Sequence, residues 1–136
     1  MQLRVVIDTT VLIAAQLNAE GRAAYLLKLA RQRRFHWVTS PAIIREFAGK
    51  LRTKFSWDEK QIGQILRRTA RAAEIAKVTI SLTVVPDDPN DNHIIECAVD
   101  GKADMIVSAD GDLLRMKDYQ NIPILHPNDF LYMLGE

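Results

Sequence analysis

Two rhythms of apolar residues alternate along the chain. "LRVVID" is a continuous apolar run that ends at Asp8, the pattern of a buried strand, and "TTVLIAAQL" follows it as a helix. After the polar break "NAEG", "RAAYLLKLARQRR" repeats apolar residues at Ala24, Leu27 and Ala30, the period of a helix. "FHWVTS" predicts a short strand. Ser40 and Pro41 mark a helix start, serine as cap and proline at the first helical position, with Ile43, Phe47 and Leu51 as its inward stripe. "SWDEK" opens another helix, with Ile62, Ile65, Leu66, Ala73 and Ala76 inside and Arg67, Arg68 and Arg71 outside. "VTISLTVV" is β-branched at nearly every other place and predicts a strand. "DDPND" is turn chemistry, and "NHIIECAVDGK" predicts a helix closed by Gly101. "DMIVS" predicts a strand, "DGDLLRM" a short helix, "IPIL" a last strand and "PNDFLYMLG" a terminal helix.

Strands that alternate with helices imply an α/β fold: a three-layer α/β/α sandwich around a mostly parallel sheet of about five strands. No repeat, low-complexity tract or linker interrupts the pattern, so residues 1–136 are expected to form one domain. Ligands of such sheets bind beyond the carboxyl ends of the strands, where the strand order reverses. Asp8 follows the first predicted strand and Asp110 the fourth. If those strands are neighbours, both carboxylates emerge at one edge.

Composition narrows the class. A chain of 136 residues with 48% apolar, 7% aromatic and 26% charged residues has the make-up of a soluble globular domain with a real core. No apolar run reaches the roughly 18 residues that span a bilayer, so no membrane association is expected. The start, "MQLRVVIDTT", passes directly into a strand rather than a signal peptide. Cys97 is the single cysteine, which excludes an intramolecular disulfide and a thiolate zinc cluster and fits a reducing cytoplasm. It is expected to be a small core residue on an inward helix face. Trp37 and the stripe Phe130, Leu131 and Leu134 are expected in the core or in a dimer contact. His36, His93 and His126 are scattered, and only His93 lies near the acids.

The net charge of +1 hides a segregation. Fourteen of the eighteen Lys and Arg lie between Arg22 and Lys77, against four acids there. From Asp87 to Asp112 there are eight acids and one cation, Lys102. A basic middle beside an acidic pocket suits a metal-dependent enzyme that acts on nucleic acid, although any one of these cations could be part of a solvated helix face.

Each acid has a local alternative. Asp8, Asp91 and Asp110 could cap helices, Glu46 could reach out to water, Asp87 and Asp88 belong to the turn around Pro89, and Asp112 could serve a turn. Taken together, Asp8, Asp91 and Asp110 fall at loop–helix junctions on one sheet edge, with Glu46 on the helix that leaves the second strand. Two carboxylates about 5 Å apart repel by about 3 kcal/mol at an effective dielectric near 20, and a divalent ion reverses that sign. Oxygen-only ligands are the donor set for Mg²⁺ or Mn²⁺, which lower the pKa of a bound water and hold a phosphate oxygen.

The succession "VVIDTTVLIAA", "SPAIIREFAGKL" and "DDPNDNHIIECAVDGKADMIVSADGDLL" resembles the PIN domain, in particular toxin components of toxin–antitoxin systems, over nearly the whole chain. The resemblance implies a ribonuclease whose catalytic and metal-binding residues are Asp8, Glu46, Asp91 and Asp110, with Asp112 as an additional acid and one or two Mg²⁺ or Mn²⁺ ions. Asp88 competes with Asp91 for the third role; Asp91 is preferred because Asn92 and the helix follow it directly. Thr10 stands where many relatives carry Asn or Ser, and its hydroxyl can still hydrogen-bond water or phosphate. Arg45, Lys50, Arg52 and Lys54 would steer the RNA backbone. The resemblance further implies a homodimer and, for a toxin, a small antitoxin protein that crosses the acidic pocket.

Other readings fit less well. A phosphatase of the haloacid dehalogenase type needs a second Asp where Thr10 stands. A response-regulator receiver needs a Lys after the last strand, where "IPILHPND" offers His126. A dinucleotide-binding domain needs a glycine-rich loop after "LRVVID", and none is there. The non-enzymatic alternative is a catalytically inactive PIN-like module that binds RNA or protein.

Overall fold

The computed structural model describes residues 2–85 and 88–136; Asp87 of the acidic turn lies outside them. One mixed, mostly parallel sheet of six strands runs through the molecule. Its first strand, β1 (Arg4–Ile7), lies between β2 (His36–Thr39) and β4 (Met105–Val107), parallel to both. β3 (Glu74–Ile75) extends the sheet beyond β2, and β6 (Ile122–Leu125) extends it beyond β4. β5 (Asp118–Tyr119) closes that side antiparallel to β6. The order β3-β2-β1-β4-β6-β5 therefore reverses at β1 and β4.

Right-handed crossovers put connections on opposite faces once the strand order reverses. The helices α1 (Thr9–Leu17), α2 (Arg22–Arg31), α3 (Pro41–Lys54) and α4 (Glu59–Ala72) pack on one another on one side. α5 (Pro89–Asp100) lies across β1, β2 and β4. α6 (Gly111–Met116) follows β4, and α7 (Pro127–Met133) folds back against α2. Val5, Val6, Ile7, Val38, Ile106 and Val107 are fully buried, as strands covered on both faces require. Phe130 meets Phe35 edge to face, so it belongs to the core, as do Leu131, Trp37 and Cys97. Ser40 caps α3 by accepting from the Ile43 N–H at 3.4 Å, with Pro41 at the first helical position. Gly101 ends α5 where the helix touches β2: a Cβ there would stand 2.9 Å from Val38 Cγ1 and 2.6 Å from the Cys97 carbonyl oxygen.

Three expectations need correction. The stretch "VTISLTVV" forms no strand. The alternation it carries is real, since Val78, Ile80, Leu82 and Val84 are half-buried while Thr79, Ser81 and Thr83 are exposed. Its partner is α5 rather than a strand. Asp100 Oδ2 accepts from the N–H groups of Thr79 (2.6 Å) and Ile80 (3.2 Å), and Glu96 Oε2 accepts from Leu82 (2.7 Å). Asn92 Oδ1 accepts from Val84 and Val85, both at 2.8 Å, while its Nδ2 donates to the Val85 carbonyl. Three side chains four residues apart lie on one helix face, so they serve an extended chain as a neighbouring strand would. Second, two short strands lie outside the predicted ones: β3, which follows α4 and pairs with β2, and β5. β5 joins β6 through Gln120 and Asn121, whose φ of 48° and 67° suit a two-residue hairpin turn. Third, α4 ends at Ala72, which leaves Ala73 and Ala76 beyond it.

Candidate metal centre

The register Ile7↔Val107 places Asp8 opposite Ser108 at the point where the strand order reverses. Asp8 occupies the cap position of α1 but its side chain makes no cap hydrogen bond. Its Oδ2 accepts instead from Ser108 Oγ at 2.7 Å and from Thr10 Oγ1 at 2.8 Å. Both hydroxyls reach on to the next loop. Ser108 Oγ accepts from the Asp110 N–H (2.9 Å), and Thr10 Oγ1 accepts from the Ala109 N–H (3.2 Å). The Thr10 hydroxyl thus orients a carboxylate and a loop. Burial raises the Asp8 carboxyl above the ordinary aspartate range, the two hydroxyls pull it down, and Glu46 pushes it up again.

Asp91 lies in the first turn of α5 and is 6% exposed. Oxygens of Asp91, Asp110 and Asp112 fall within 4.8 Å of one another. Asp91 Oδ2 is buried with no hydrogen-bond partner among the described residues. Burial, followed by the charges of Asp110, Asp88 and Asp8, pushes its carboxyl up to about 8. Asp110 caps α6, Oδ2 accepting from the Leu113 N–H at 3.0 Å, and Asp112 pairs with Arg115. Asp88 caps α5 by accepting from the Asn90 N–H at 3.0 Å.

Glu46 stands beside Asp8 rather than inside the trio. Its Oε1 pairs with Lys50 Nζ at 2.9 Å, one turn along α3, and its Oε2 accepts from Thr9 Oγ1 at 3.3 Å. Burial lowers the Lys50 ammonium pKa, yet Glu46, Asp8 and Asp88 together raise it above the ordinary value. Lys50 therefore faces the acids. A cavity of about 400 Å³ next to it is lined by Arg45, Glu46, Lys50, Thr53, Asn90 and His93. His93 Nδ1 lies 3.1 Å from Glu96 Oε1. Arg52 is turned away to an ion pair with Glu59 at 2.6 Å, and Lys54 ends α3.

The structure thus gathers Asp91, Asp110 and Asp112 into one oxygen cluster, with Asp8 coupled to it through Ser108 and with Glu46 and Lys50 alongside. Ser108 and Thr9 are the polar residues that sequence reading passed over. A signal for Ser108 was present, because it leaves β4 at the height at which Asp8 leaves β1. The residues fit a hard divalent cation: all donors are oxygens, three carboxylates crowd together, and one buried oxygen has no donor to satisfy it.

Residues 4–112 match the PIN domain family. The uncharacterized protein MJ1680 of Methanocaldococcus jannaschii is 31% identical over 144 aligned positions, which cover 96% of this chain and 91% of that one. VapBC2 from Rickettsia felis, solved bound to a DNA fragment from its promoter, has a similar structure with a TM-score of 0.65 at 14% identity, over 90% of this chain and 97% of that chain. PAE2754 from Pyrobaculum aerophilum gives a TM-score of 0.67 at 15% identity, over 98% and 90% of the two chains.

Proposed function

This chain belongs to the PIN domain family, and on that premise we propose that it is a Mg²⁺- or Mn²⁺-dependent endoribonuclease, the toxin of a type II toxin–antitoxin pair. One observation carries the reading: the buried, unpartnered Asp91 Oδ2 within the oxygen cluster of Asp91, Asp110 and Asp112. Three crowded carboxylates need a divalent cation or a proton, and the proton is what the ion-free protein takes at Asp91.

Asp8, Glu46, Asp91 and Asp110, with Asp112, would hold one or two ions. Such an ion supplies an acidified water and neutralises charge on a phosphate oxygen. The side chains do the rest. Ser108 and Thr10 fix the Asp8 carboxylate, so its orientation is set before substrate arrives. A carboxylate of the cluster orients water in line with the scissile phosphorus. Lys50, held on Glu46, faces the negative charge that develops on the leaving 3′ oxygen. Arg45 and Lys54 steer the RNA backbone, while the pairing of Arg52 with Glu59 leaves it a smaller part.

Among the described residues no helix is long and apolar enough to cross a membrane, and the single buried thiol suits a cytoplasmic location. Likeness to VapBC2 supports an antitoxin protein as partner, and a homodimer is the assembly we expect. The test is cleavage of single-stranded RNA with Mn²⁺, with chelator and by Asp8→Asn. Cleavage that needs Mn²⁺ and vanishes in the variant is the expected result. RNA bound but never cut would point to the inactive binding module.

A further inference from the structure

The acidic edge has a basic counterpart at the other end of the sheet. α4 leads into β3, so its last turns, with Arg67, Arg68 and Arg71, lie towards the amino ends of the strands. Arg31, at the end of α2, meets Arg68 across a cleft. Partial burial and the charge of Arg68 hold the Arg31 guanidinium below its ordinary range. None of these four arginines makes an ion pair among the described residues; Glu20, which also lines the cleft, pairs with none of them. Along α4 the cleft encloses about 510 Å³ and adds Gln16, Trp57, Gln61 and Gln64 to the arginines. Along α2 it continues for about 470 Å³. Arg31, Arg68 and Trp37 also line a small cavity at its base, and the buried Trp37 indole N–H has no acceptor among the described residues.

The chemistry of this lining is one-sided. Guanidinium and indole groups donate and cannot accept, so the cleft has surplus donors and surplus positive charge, with Glu20 as the one carboxylate among the described residues set against four arginines. The guanidinium fork matches phosphate oxygens, while glutamine amides and a tryptophan ring suit bases. An acidic peptide would meet the charge, but the stretch along α4 offers it mostly amides and guanidinium groups rather than the apolar pockets in which peptide side chains anchor.

We propose that the cleft between α2 and α4 is a second RNA site, which grips the phosphate backbone of a single strand away from the acidic edge. The identity of the polyanion rests on the nuclease reading; the need for an anion rests on the arginines alone. Gln16 lies seven residues along α1 from Thr9, about 10 Å, so one strand could engage both ends of the molecule.

The test is binding, in chelator, of a labelled single-stranded RNA of about 20 nucleotides to protein carrying Asp8→Asn, with and without Arg68→Gln and Arg71→Gln, across a salt series. The glutamine pair is expected to weaken binding about tenfold and to flatten the log–log salt slope by about 1 to 2, close to 0.7 per lost phosphate contact. Arg68→Lys with Arg71→Lys should keep most of the slope, because the charge remains. Unchanged RNA affinity in the glutamine pair overturns the proposal. So does a polyglutamate peptide whose binding depends on these arginines while RNA binding does not. Absence of cleavage by the unaltered protein, with arginine-dependent RNA binding intact, defeats the nuclease reading and leaves this site standing.

Discussion

Asp91 holds its proton up to a pH of about 8 because burial and the charges of Asp110, Asp88 and Asp8 oppose ionisation. An aspartate in an unfolded chain has lost that proton by about pH 5. Between those limits the native state binds more protons, so the stability of ion-free protein falls as the pH rises. Asp8, raised for the same leading reason, contributes in the same direction. Thermal melts in chelator should therefore show the parent losing stability from pH 5 to pH 8, and Asp91→Asn losing distinctly less. An equal loss in both would remove Asp91 as the source. Ser108 supplies a second prediction at this scale. Its hydroxyl donates to buried Asp8, so Ser108→Ala should cost roughly 1–2 kcal/mol at pH 8 in urea unfolding. The cost should shrink as the pH falls, because protonation of Asp8 lessens its need for the donor. The residue types of this site were legible in the sequence, since acids at strand ends are chemically conspicuous. The hydroxyls that orient them were not, because a serine after a strand carries no mark until the register Ile7↔Val107 is known.

At the scale of elements, most helices and strands were legible because one periodicity and one cap agreed, as at Ser40 and Pro41. The reading failed where alternation was answered by something other than a strand. Residues 78–85 are extended, and alternation reports that much; whether the backbone pairs with a sheet depends on what lies beside it. Here Asn92, Glu96 and Asp100 take the N–H groups, at spacings that also read as an ordinary helix face. The hairpin of β5 and β6 was missed for a related reason, since Gln120-Asn121 lacks the Asn-Gly signature of such turns. This strap bears on function because Asn92 adjoins Asp91. Asn92→Ala removes two acceptor contacts and one donor contact at a buried position, and should cost roughly 2–3 kcal/mol. Asp100→Ala, near the strap's exposed end, should cost less than that. Urea unfolding of the two variants checks that order, and a larger loss from Asp100→Ala would contradict it.

For the whole molecule, a net charge of +1 conceals two like-charge clusters at opposite ends of one sheet. Each repels itself, and neither can relieve the other across the sheet at ordinary salt, where screening acts over about 8–10 Å. Added monovalent salt should therefore stabilise ion-free protein at pH 8 modestly, by screening both ends. A divalent cation should do more than salt of equal ionic strength, because the native protein presents the proposed oxygen site and the unfolded chain offers no such cluster. At a hundredfold excess over its dissociation constant the gain is about 2.7 kcal/mol, roughly 10 °C in melting temperature for a chain of this size. That increment should vanish in Asp91→Asn with Asp110→Asn, and the response to monovalent salt should weaken without disappearing, since the arginine cleft is untouched. Arg68→Gln with Arg71→Gln should give the opposite result, a full response to Mn²⁺ and a smaller one to salt. If both double variants responded alike to both kinds of ion, the two ends would not be independent, and the division of charge between them would have no part in the stability of the fold.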